Sequence, residues 1–313
     1  MIEYSRKITM CEGIMGKTQI TGLIIVNKEE GMTSQTVVNR VKSIFGADKA
    51  GHTGTLDPLA TGVLPVLLGR AVKASEFMLT SDKHYGATLL LGEERDTEDI
   101  TGELISSSDT VPSECEVMAA IESFVGEIMQ TPPMYSALKV GGKKLCDLAR
   151  EGITVEREAR PVTVFSIDAR RLSEREYYLD VVCSKGTYIR TLCADIGKKL
   201  GVGGVMKTLE RLSASGFSLD TAYTLGEFES MTDTERAQCI LPVERVFDKL
   251  PSVMLPDFFA RLASSGLEIY EKKIGTAFDI GTRVKLYSKS GFFAVGEVRE
   301  YEDGTAIKPI RQF

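Results

Sequence analysis

The alternation of apolar and polar residues predicts short strands and amphipathic helices. GLIIVNKEEG (22–31) begins with a β-branched run that ends in a glycine-containing turn, which predicts a strand. The segment TSQTVVNRVKSIFG (33–46) repeats apolar side chains at helical spacing, with Val37, Val41, Ile44 and Phe45 on one stripe. Thr33 or Ser34 is suited to cap the start of this helix, and Gly46 stands where a helix commonly ends.

The later segments do not alternate regularly between strand and helix. Strands are predicted over YGATLLLG (85–92), PVTVFSIDARRL (161–172) and YYLDVVCSK (177–185). Helices are predicted around 117–125 and over GTYIRTLCADIGKKLG (186–201), whose stripe consists of Ile189, Leu192, Ile196 and Leu200. Because regular βαβ units are missing from this pattern, we predict an α+β fold with a mixed, mainly antiparallel sheet.

The pattern changes again near residue 250. A helix-like segment, PDFFARLASSG (256–266), precedes three short strand patterns, TRVKLY (282–287), GFFAVGEV (291–298) and TAIKPI (305–310), separated by turn residues. Short strands with such turns are typical of a small β-barrel-like module. We therefore predict an N-terminal extension (1–21), a large α+β domain (22–249) and a small β domain (250–313).

Composition narrows the possible chemistry. The chain has 313 residues, six cysteines and two histidines. The cysteines lack CxxC spacing, so reduced thiols are expected and a zinc site is not. No apolar stretch is long enough for a membrane span, and the first residues lack the apolar core of a signal peptide, which together predict a cytoplasmic protein.

The net charge of −6 argues weakly against a nucleic-acid partner, but the charge is unevenly distributed. Residues 93–130 contain eleven acidic side chains and one basic one. Residues 133–211 contain fifteen lysines and arginines against ten acidic residues. An acidic protein with such a division can still present a basic face to RNA.

The segment GHTGTLDPLATG (51–62) carries the densest set of candidate functional groups. An Asp-Pro pair such as Asp57-Pro58 by itself usually starts a turn. Here three glycines allow close approach of the backbone to a ligand, and three threonines supply hydroxyls. Neither GxGxxG nor a Walker lysine is present, so this segment does not predict a nucleotide phosphate loop.

Three further side chains allow two interpretations each. His52 is either a buried structural histidine or a functional neighbour of Asp57, and Tyr85 is either an ordinary strand aromatic or a residue of a cleft. Arg190, one position off the apolar stripe of its helix, is either a surface arginine or a guanidinium that keeps a carboxylate ionised and in place.

Taken together, the motifs closely resemble those of the bacterial TruB-type tRNA pseudouridine-55 synthases. The resemblance extends from about Gly22 to Phe217, and it is carried by AGHTGTLDPLATGVLPVLLGRAVK, KHYGATLLLGEERDTEDITGE, PPMYSALKVGGKKLCDLAREG, CSKGTYIRTLCADIGKKLG and LERLSASGF in the family's order. It implies that Asp57 is the nucleophile, Tyr85 the active-site tyrosine on the substrate ring and Arg190 the partner of the aspartate. It implies neither a cofactor nor a metal ion.

The resemblance also implies contacts with RNA. His52, Tyr188 and Leu209 match residues that contact or help to extrude the target uridine. Three lysines fall in matched motifs and are predicted RNA contacts: Lys28, Lys73 and Lys139. The region from Pro133 to Arg160 matches a mobile basic insertion that clamps the T arm of tRNA, and the C-terminal module resembles a PUA domain.

The chain departs from the family pattern at two places. Asn27-Lys28-Glu29 stands where the family usually has Asp-Lys-Pro, and Glu210-Arg211 stands where two arginines are frequent. Both lie outside the predicted catalytic set, and the second concerns local RNA contacts rather than chemistry.

The sequence therefore predicts a monomeric enzyme that isomerises uridine 55 in the T loop of tRNA to pseudouridine. Two alternatives share the scaffold: a tRNA-binding or tRNA-folding chaperone, and a guide-RNA-dependent pseudouridine synthase of the archaeal and eukaryotic type.

Overall fold

The computed structural model describes residues 20–313, so most of the predicted extension over 1–21 lies outside the described residues. Eighteen strands are formed in this part of the chain: β1 (Gly22–Lys28), β2 (Ala50–His52), β3 (Thr61–Leu68), β4 (Lys83–Leu91), β5 (Glu93–Arg95), β6 (Leu104–Ser107), β7 (Gly126–Gln130), β8 (Lys139–Val140), β9 (Lys143–Lys144), β10 (Arg160–Arg171), β11 (Glu176–Cys183), β12 (Gly204–Ala214), β13 (Phe217–Ser218), β14 (Ser252–Met254), β15 (Ile269–Tyr270), β16 (Arg283–Ser288), β17 (Gly291–Tyr301) and β18 (Gly304–Gln312).

Nine α-helices accompany these strands within residues 20–313: α1 (Ser34–Ile44), α2 (Ser75–Met78), α3 (Glu114–Glu122), α4 (Leu145–Arg150), α5 (Ile189–Lys199), α6 (Leu225–Ser230), α7 (Asp233–Cys239), α8 (Asp257–Ser264) and α9 (Glu271–Ile274). Three 3₁₀ helices cover Gly69–Ala74, Leu219–Thr221 and Val243–Phe247. No helix of the described residues is long and apolar enough to cross a membrane.

The larger sheet has nine strands, of which seven run in the order β1-β3-β12-β4-β11-β10-β7, while β2 pairs with β3 and β13 with β12. Its strand pairs are antiparallel except for the pair of β3 with β12. The prediction of an α+β fold with a mixed, mainly antiparallel sheet is confirmed.

Helices α1 and α5 contribute to the main core with the stripes that the sequence predicts. Val37 and Val41 of α1 and Leu192 and Ile196 of α5 are fully buried in one cluster with the sheet. Thr33 is the N-cap of α1, since its hydroxyl accepts a hydrogen bond from the Thr36 amide. The amphipathic patterns thus fix which face of each helix lies on the sheet.

Helix α3 begins earlier than the pattern around 117–125 indicates. Ser113 and Glu116 form a reciprocal capping box at its start, and the helix ends at Glu122. The acidic stretch before it contains the short antiparallel hairpin β5–β6.

The C-terminal residues form a separate five-stranded sheet in the order β14-β16-β17-β18-β15, packed with α8. Its core is a distinct apolar cluster that includes Val253, Leu286 and Ile307. Aromatic rings connect this sheet to the rest of the molecule, because Phe247 contacts Phe77 on one side and Phe292 and Phe313 on the other.

Candidate active site

The loop that carries Asp57 is fixed by hydrogen bonds from neighbouring elements. The Ser34 hydroxyl, at the start of α1, donates to the Leu56 carbonyl at 2.9 Å and accepts from the Leu56 amide at 2.8 Å. The Ala60 amide donates to the Asp57 carbonyl at 3.1 Å, and the Gly31 amide donates to the Pro58 carbonyl at 2.8 Å. Asp57 therefore does start a turn, and that turn is held from two sides.

Lys28 lies beneath this loop, with only 1% of its surface exposed. Its ammonium group donates to the carbonyls of Glu29, Pro58 and Ala60 at 2.9, 3.2 and 2.5 Å. Burial lowers the pKa of Lys28 to about 8, an effect that the nearby Asp57 carboxylate opposes. The sequence predicted Lys28 as an RNA contact; in the structure its charge faces inward, because backbone carbonyls satisfy it, and it holds the loop.

Arg190 forms an ion pair with Asp57. The distance from Arg190 Nε to Asp57 Oδ2 is 3.0 Å, and the side chain of Arg190 is 5% exposed while that of Asp57 is 36% exposed. Arg190 Nη1 donates to the Thr97 carbonyl at 2.9 Å, and Nη2 donates to the Tyr135 carbonyl at 2.7 Å. The interpretation of Arg190 as a surface arginine is therefore wrong, and its fork orients a carboxylate that still reaches solvent.

The pKa of Asp57 reflects competing effects. Burial raises it above its ordinary value, the Arg190 guanidinium lowers it, the nearby Asp99 carboxylate raises it further, and Lys28 lowers it. Without the two cations, the ionised form required of a nucleophile would be less stable at this position.

Asp99 is a member of the site that the sequence analysis did not single out. Its Oδ2 lies 3.6 Å from Arg190 Nη1, and the residue is buried. Its Oδ1 accepts hydrogen bonds from the Thr97 hydroxyl at 2.8 Å and from the amide and hydroxyl of Thr101 at 3.0 and 2.5 Å. The alternation of Thr97, Asp99 and Thr101 was the available signal, since short polar side chains of this kind build such local turns.

Tyr85 lies on β4, and its register partner on β12 is Arg211. The Tyr85 hydroxyl contacts the Arg211 guanidinium. Burial raises the pKa of Tyr85, and Arg211 opposes that shift. Tyr85 thus lines the buried side of the site.

Arg211 is the second residue that sequence reasoning did not place here. It is 1% exposed, its Nε donates to the Val63 carbonyl at 2.7 Å and its Nη2 donates to the Gly54 carbonyl at 3.2 Å. The sequence analysis linked positions 210 and 211 to RNA contacts, whereas the structure directs Arg211 into the site. A charged residue within a strand pattern gives no signal that its charge is buried.

His52 lies at the end of β2, opposite Val66 of β3. It is half-buried, and its buried Nδ1 has no hydrogen-bond partner among the described residues. Burial and the Arg211 charge lower the pKa of His52, so its imidazole is neutral near pH 7.

Tyr188 and Leu209 occupy the elements that carry the two arginines. Tyr188 is the residue before α5; its amide donates to Gln130 Oε1 at 2.7 Å, and Gln130 Nε2 donates back to its carbonyl at 3.0 Å. These two hydrogen bonds fix the start of α5 and hence the backbone position of Arg190. Leu209 is a buried residue of β12, two positions before Arg211.

Lys73 and Lys139 are exposed residues of two other parts of the chain. Lys73 Nζ donates to the Gln312 carbonyl at 3.2 Å, which ties the 3₁₀ helix Gly69–Ala74 to the C-terminal strand. Lys139 lies in the two-stranded β8–β9 hairpin opposite Lys144. This hairpin and α4 are the regular secondary structure between residues 133 and 159.

Comparison with known proteins shows the family. Residues 42–189 match the model of the TruB family pseudouridylate synthase (N terminal domain), and residues 190–248 match that of the tRNA pseudouridylate synthase B C-terminal domain. The chain is 43% identical to the tRNA pseudouridine synthase B of Alkaliphilus oremlandii, covering 93% of this chain and 98% of the relative. It is 38% identical to the protein of that name from Neisseria meningitidis serogroup B, covering 94% and 95%.

Solved structures show the same fold. A crystal structure of a Cbf5-Nop10-Gar1 complex contains a chain that is 27% identical, with a TM-score of 0.70 over 93% of this chain and 84% of that chain. An H/ACA RNP bound to a substrate RNA containing 2′-deoxyuridine contains a chain that matches with a TM-score of 0.69 at 25% identity, covering 93% and 84%. The chain therefore belongs to the TruB family of pseudouridylate synthases.

Proposed function

We propose that this protein is a tRNA pseudouridine synthase that isomerises uridine 55 in the T loop. The main support is the Asp57 carboxylate, which is partly exposed and lies 3.0 Å from a buried arginine. Relatives that match nearly over their full length are named tRNA pseudouridine synthase B, which favours tRNA as the substrate class.

Asp57 is the proposed nucleophile. Formation of pseudouridine breaks the bond from the base nitrogen to the sugar, turns the base and joins its carbon 5 to the same sugar carbon. A carboxylate is suited to this because it attacks a carbon centre or stabilises an oxocarbenium-like sugar. Arg190 keeps Asp57 charged and oriented through the contact of its Nε with Asp57 Oδ2, while the Thr97 and Tyr135 carbonyls hold its two Nη atoms.

Tyr85 is proposed to lie against the target ring and to accept a proton from the sugar. His52, Tyr188 and Leu209 are proposed to contact the extruded nucleotide. Flipping a nucleotide out of a folded loop costs a few kcal/mol, and a neutral His52 can fill vacated space without adding charge.

The remaining parts of the proposal concern RNA binding. The lysines of the 133–160 segment, Lys139, Lys143 and Lys144, are exposed and are proposed to contact the phosphates of the T arm, as is Lys73. Residues 250–313 are proposed to be a PUA-like RNA-binding domain, and the enzyme to act as a cytoplasmic monomer.

The alternatives have less support. Relatives named for the tRNA enzyme match over 92–98% of their own length in the examples from Alkaliphilus, Neisseria and Methylobacillus, which disfavours a guide-dependent enzyme. A chaperone without catalysis would have no need of a partly exposed carboxylate that is oriented by a buried arginine.

The decisive experiment replaces the nucleophile. We expect Asp57→Asn to fold, to bind tRNA and to form no pseudouridine in a tritium-release assay, while Asp109→Asn, at an exposed aspartate, retains full activity. Pseudouridine formation by Asp57→Asn would contradict the assignment.

Mapping of pseudouridine in tRNA from cells with and without the gene should show loss at position 55 alone. Loss of pseudouridine elsewhere would contradict the proposed position.

A further inference from the structure

Arg211 is a buried cation without a carboxylate partner among the described residues. Salt bridges in residues 20–313 involve Arg190 twice and Arg211 not at all. Removing a guanidinium from water without an opposite charge is costly, so a fold that retains one usually has a use for it. Its neutral partners are the carbonyls of Val63 and Gly54 and the hydroxyl of Tyr85.

Backbone geometry shows that the position of Arg211 is closely defined. Gly62 has φ of +97°, and a Cβ there would lie 2.3 Å from the Arg211 carbonyl and 2.8 Å from its amide. The ladder between β4 and β12 is interrupted between Arg211 and Ser213, opposite Tyr85 and His84. Such bulges redirect a side chain, and this one lies at the point where β12 presents its guanidinium to the tyrosine.

We propose that Arg211 is a positioning residue for the reaction: its buried guanidinium holds the Tyr85 hydroxyl and stabilises the negative charge on that oxygen when Tyr85 has lost its proton. The inference rests on the proposed function, in which Tyr85 accepts a proton from the sugar. It adds the group that makes a phenol usable for this task, since an unassisted buried phenol resists ionisation.

The proton balance is complete. The Tyr85 hydroxyl loses its proton to solvent and leaves a phenolate beside Arg211. That oxygen then accepts the proton from carbon 2′ of the sugar, and the C–H electron pair becomes the double bond to carbon 1′, which neutralises the oxocarbenium-like centre. When carbon 5 of the base bonds to carbon 1′, Tyr85 returns the proton to carbon 2′. The base, which left with the electron pair of its bond from N1 to carbon 1′, releases the proton of carbon 5 to solvent and takes up a proton at N1. The Tyr85 phenolate then regains its own proton from solvent.

Among the groups that face Tyr85, Arg211 is the one that favours an anion on its oxygen. Tyr85 is faced by Arg211 from β12, by Cys183 from β11 and by Asp57 from the loop. Burial raises the pKa of the Cys183 thiol to about 11, so it is neutral near pH 7. Of these neighbours only Arg211 favours the phenolate.

Three other titratable side chains lie near Arg211, and its positive charge disfavours their protonated forms. Burial lowers the pKa values of His52 on β2, Lys28 on β1 and Lys83 on β4, and the positive charge of Arg211 lowers each of them further. One guanidinium therefore favours an anion at Tyr85 and a neutral ring at His52.

A titration of Tyr85 tests the inference without any RNA. The protein labelled with ζ-¹³C tyrosine contains ten tyrosines, and comparison with Tyr85→Phe identifies the resonance of Tyr85. We expect its midpoint to rise by at least about one pH unit in Arg211→Met, which has lost the charge, and to rise less in Arg211→Lys, which keeps it. An unchanged midpoint in Arg211→Met would overturn the proposal.

Single-turnover rates provide the second readout. The expected loss at pH 7 is at least about tenfold for Arg211→Met, in line with a shift of one pH unit, with partial rescue in Arg211→Lys and unchanged affinity for tRNA. A rate loss that is equal for the two variants would contradict a role of the charge. If Arg211→Met does not fold, Arg211→Lys decides alone. A rise of the Tyr85 midpoint by about one pH unit or more in Arg211→Lys, which keeps the charge, would refute the proposal.

The two proposals fail in distinguishable ways. Activity that survives Asp57→Asn refutes the proposed function whatever Tyr85 does. An unmoved Tyr85 titration refutes the role of Arg211 while leaving the roles of Asp57 and Arg190 intact.

Discussion

The site contains two buried arginines whose positive charges have different kinds of partner. Arg190, at the start of α5, has carboxylates on two sides, Asp57 at 3.0 Å and Asp99 at 3.6 Å. Arg211, on β12, has backbone carbonyls and a phenol. The first arginine is paired with carboxylates, whereas the second has neutral partners and is proposed to stabilise an anion on Tyr85 during the reaction.

The largest expected effect comes from removing the first arginine. Arg190→Met leaves Asp57 and Asp99 without a cation, and breaking a buried ion pair on one side typically costs about 3–5 kcal/mol in the free energy of unfolding. Urea denaturation measures this loss, and single-turnover assays should show no product.

Arg190→Lys sharpens the result, because an ammonium restores the charge but not the fork to Asp57, Thr97 and Tyr135. We expect most of the stability to return and the rate to remain at least about 100-fold below wild type, as for other misplaced catalytic groups. A wild-type rate for this variant would show that charge alone matters at Arg190.

The next effect concerns the backbone that carries Arg211. Gly62→Ala puts a Cβ against the Arg211 backbone at a positive φ, and Gly31→Ala is the matched control, with φ of +85° and no atom within 4 Å of the new Cβ. Strain at such a φ costs about 1–3 kcal/mol at either position, and Gly62→Ala should lose more because of the clash. Equal losses of unfolding free energy would mean that β12 moves freely relative to β3.

The smallest effect concerns the carboxylate behind Arg190. Asp99 raises the pKa of Asp57, so Asp99→Asn removes a negative neighbour and the pKa of Asp57 falls. Because Asp57 then stays ionised at lower pH, the acid limb of the single-turnover rate should move to lower pH. Asp96→Asn, at an exposed residue three positions away, serves as the control. An acid limb that moves upward would contradict the electrostatic role of Asp99.

The sequence predicted the helices and strands whose polarity is regular. The stripes of α1 and α5 could be recognised because a surface helix must bury one face, and the Asp57 loop was marked by its density of glycines and threonines. The pairing of Asp57 with Arg190, separated by much of the chain, was implied by resemblance and could not follow from spacing alone.

Strand β12, which the sequence did not predict, contains a buried polar group. Strand β12 includes Lys207, Glu210 and Arg211 among its apolar residues, so its pattern does not indicate a central strand. The sequence predicts Lys28 as an RNA contact and does not place Arg211 in the site, because their carbonyl acceptors belong to the backbone and give no signal in the sequence. The place of Asp99 in the site could not be predicted for a similar reason, since its partners are local hydroxyls and an arginine on a helix that is distant in the sequence.

The bond from Arg190 to the Tyr135 carbonyl has a consequence for substrate choice. Tyr135 lies at the root of the basic 133–160 segment, and its carbonyl accepts from the same guanidinium that holds Asp57. Under the proposed function, an RNA that moves this root changes the free energy of the Asp57–Arg190 ion pair, and by linkage the state of that ion pair changes the affinity for the RNA to the same extent. A nucleic acid that fits the surface but leaves residue 135 unmoved would be bound without being converted. The enzyme would then distinguish between RNAs by the rate of turnover rather than by the affinity of binding.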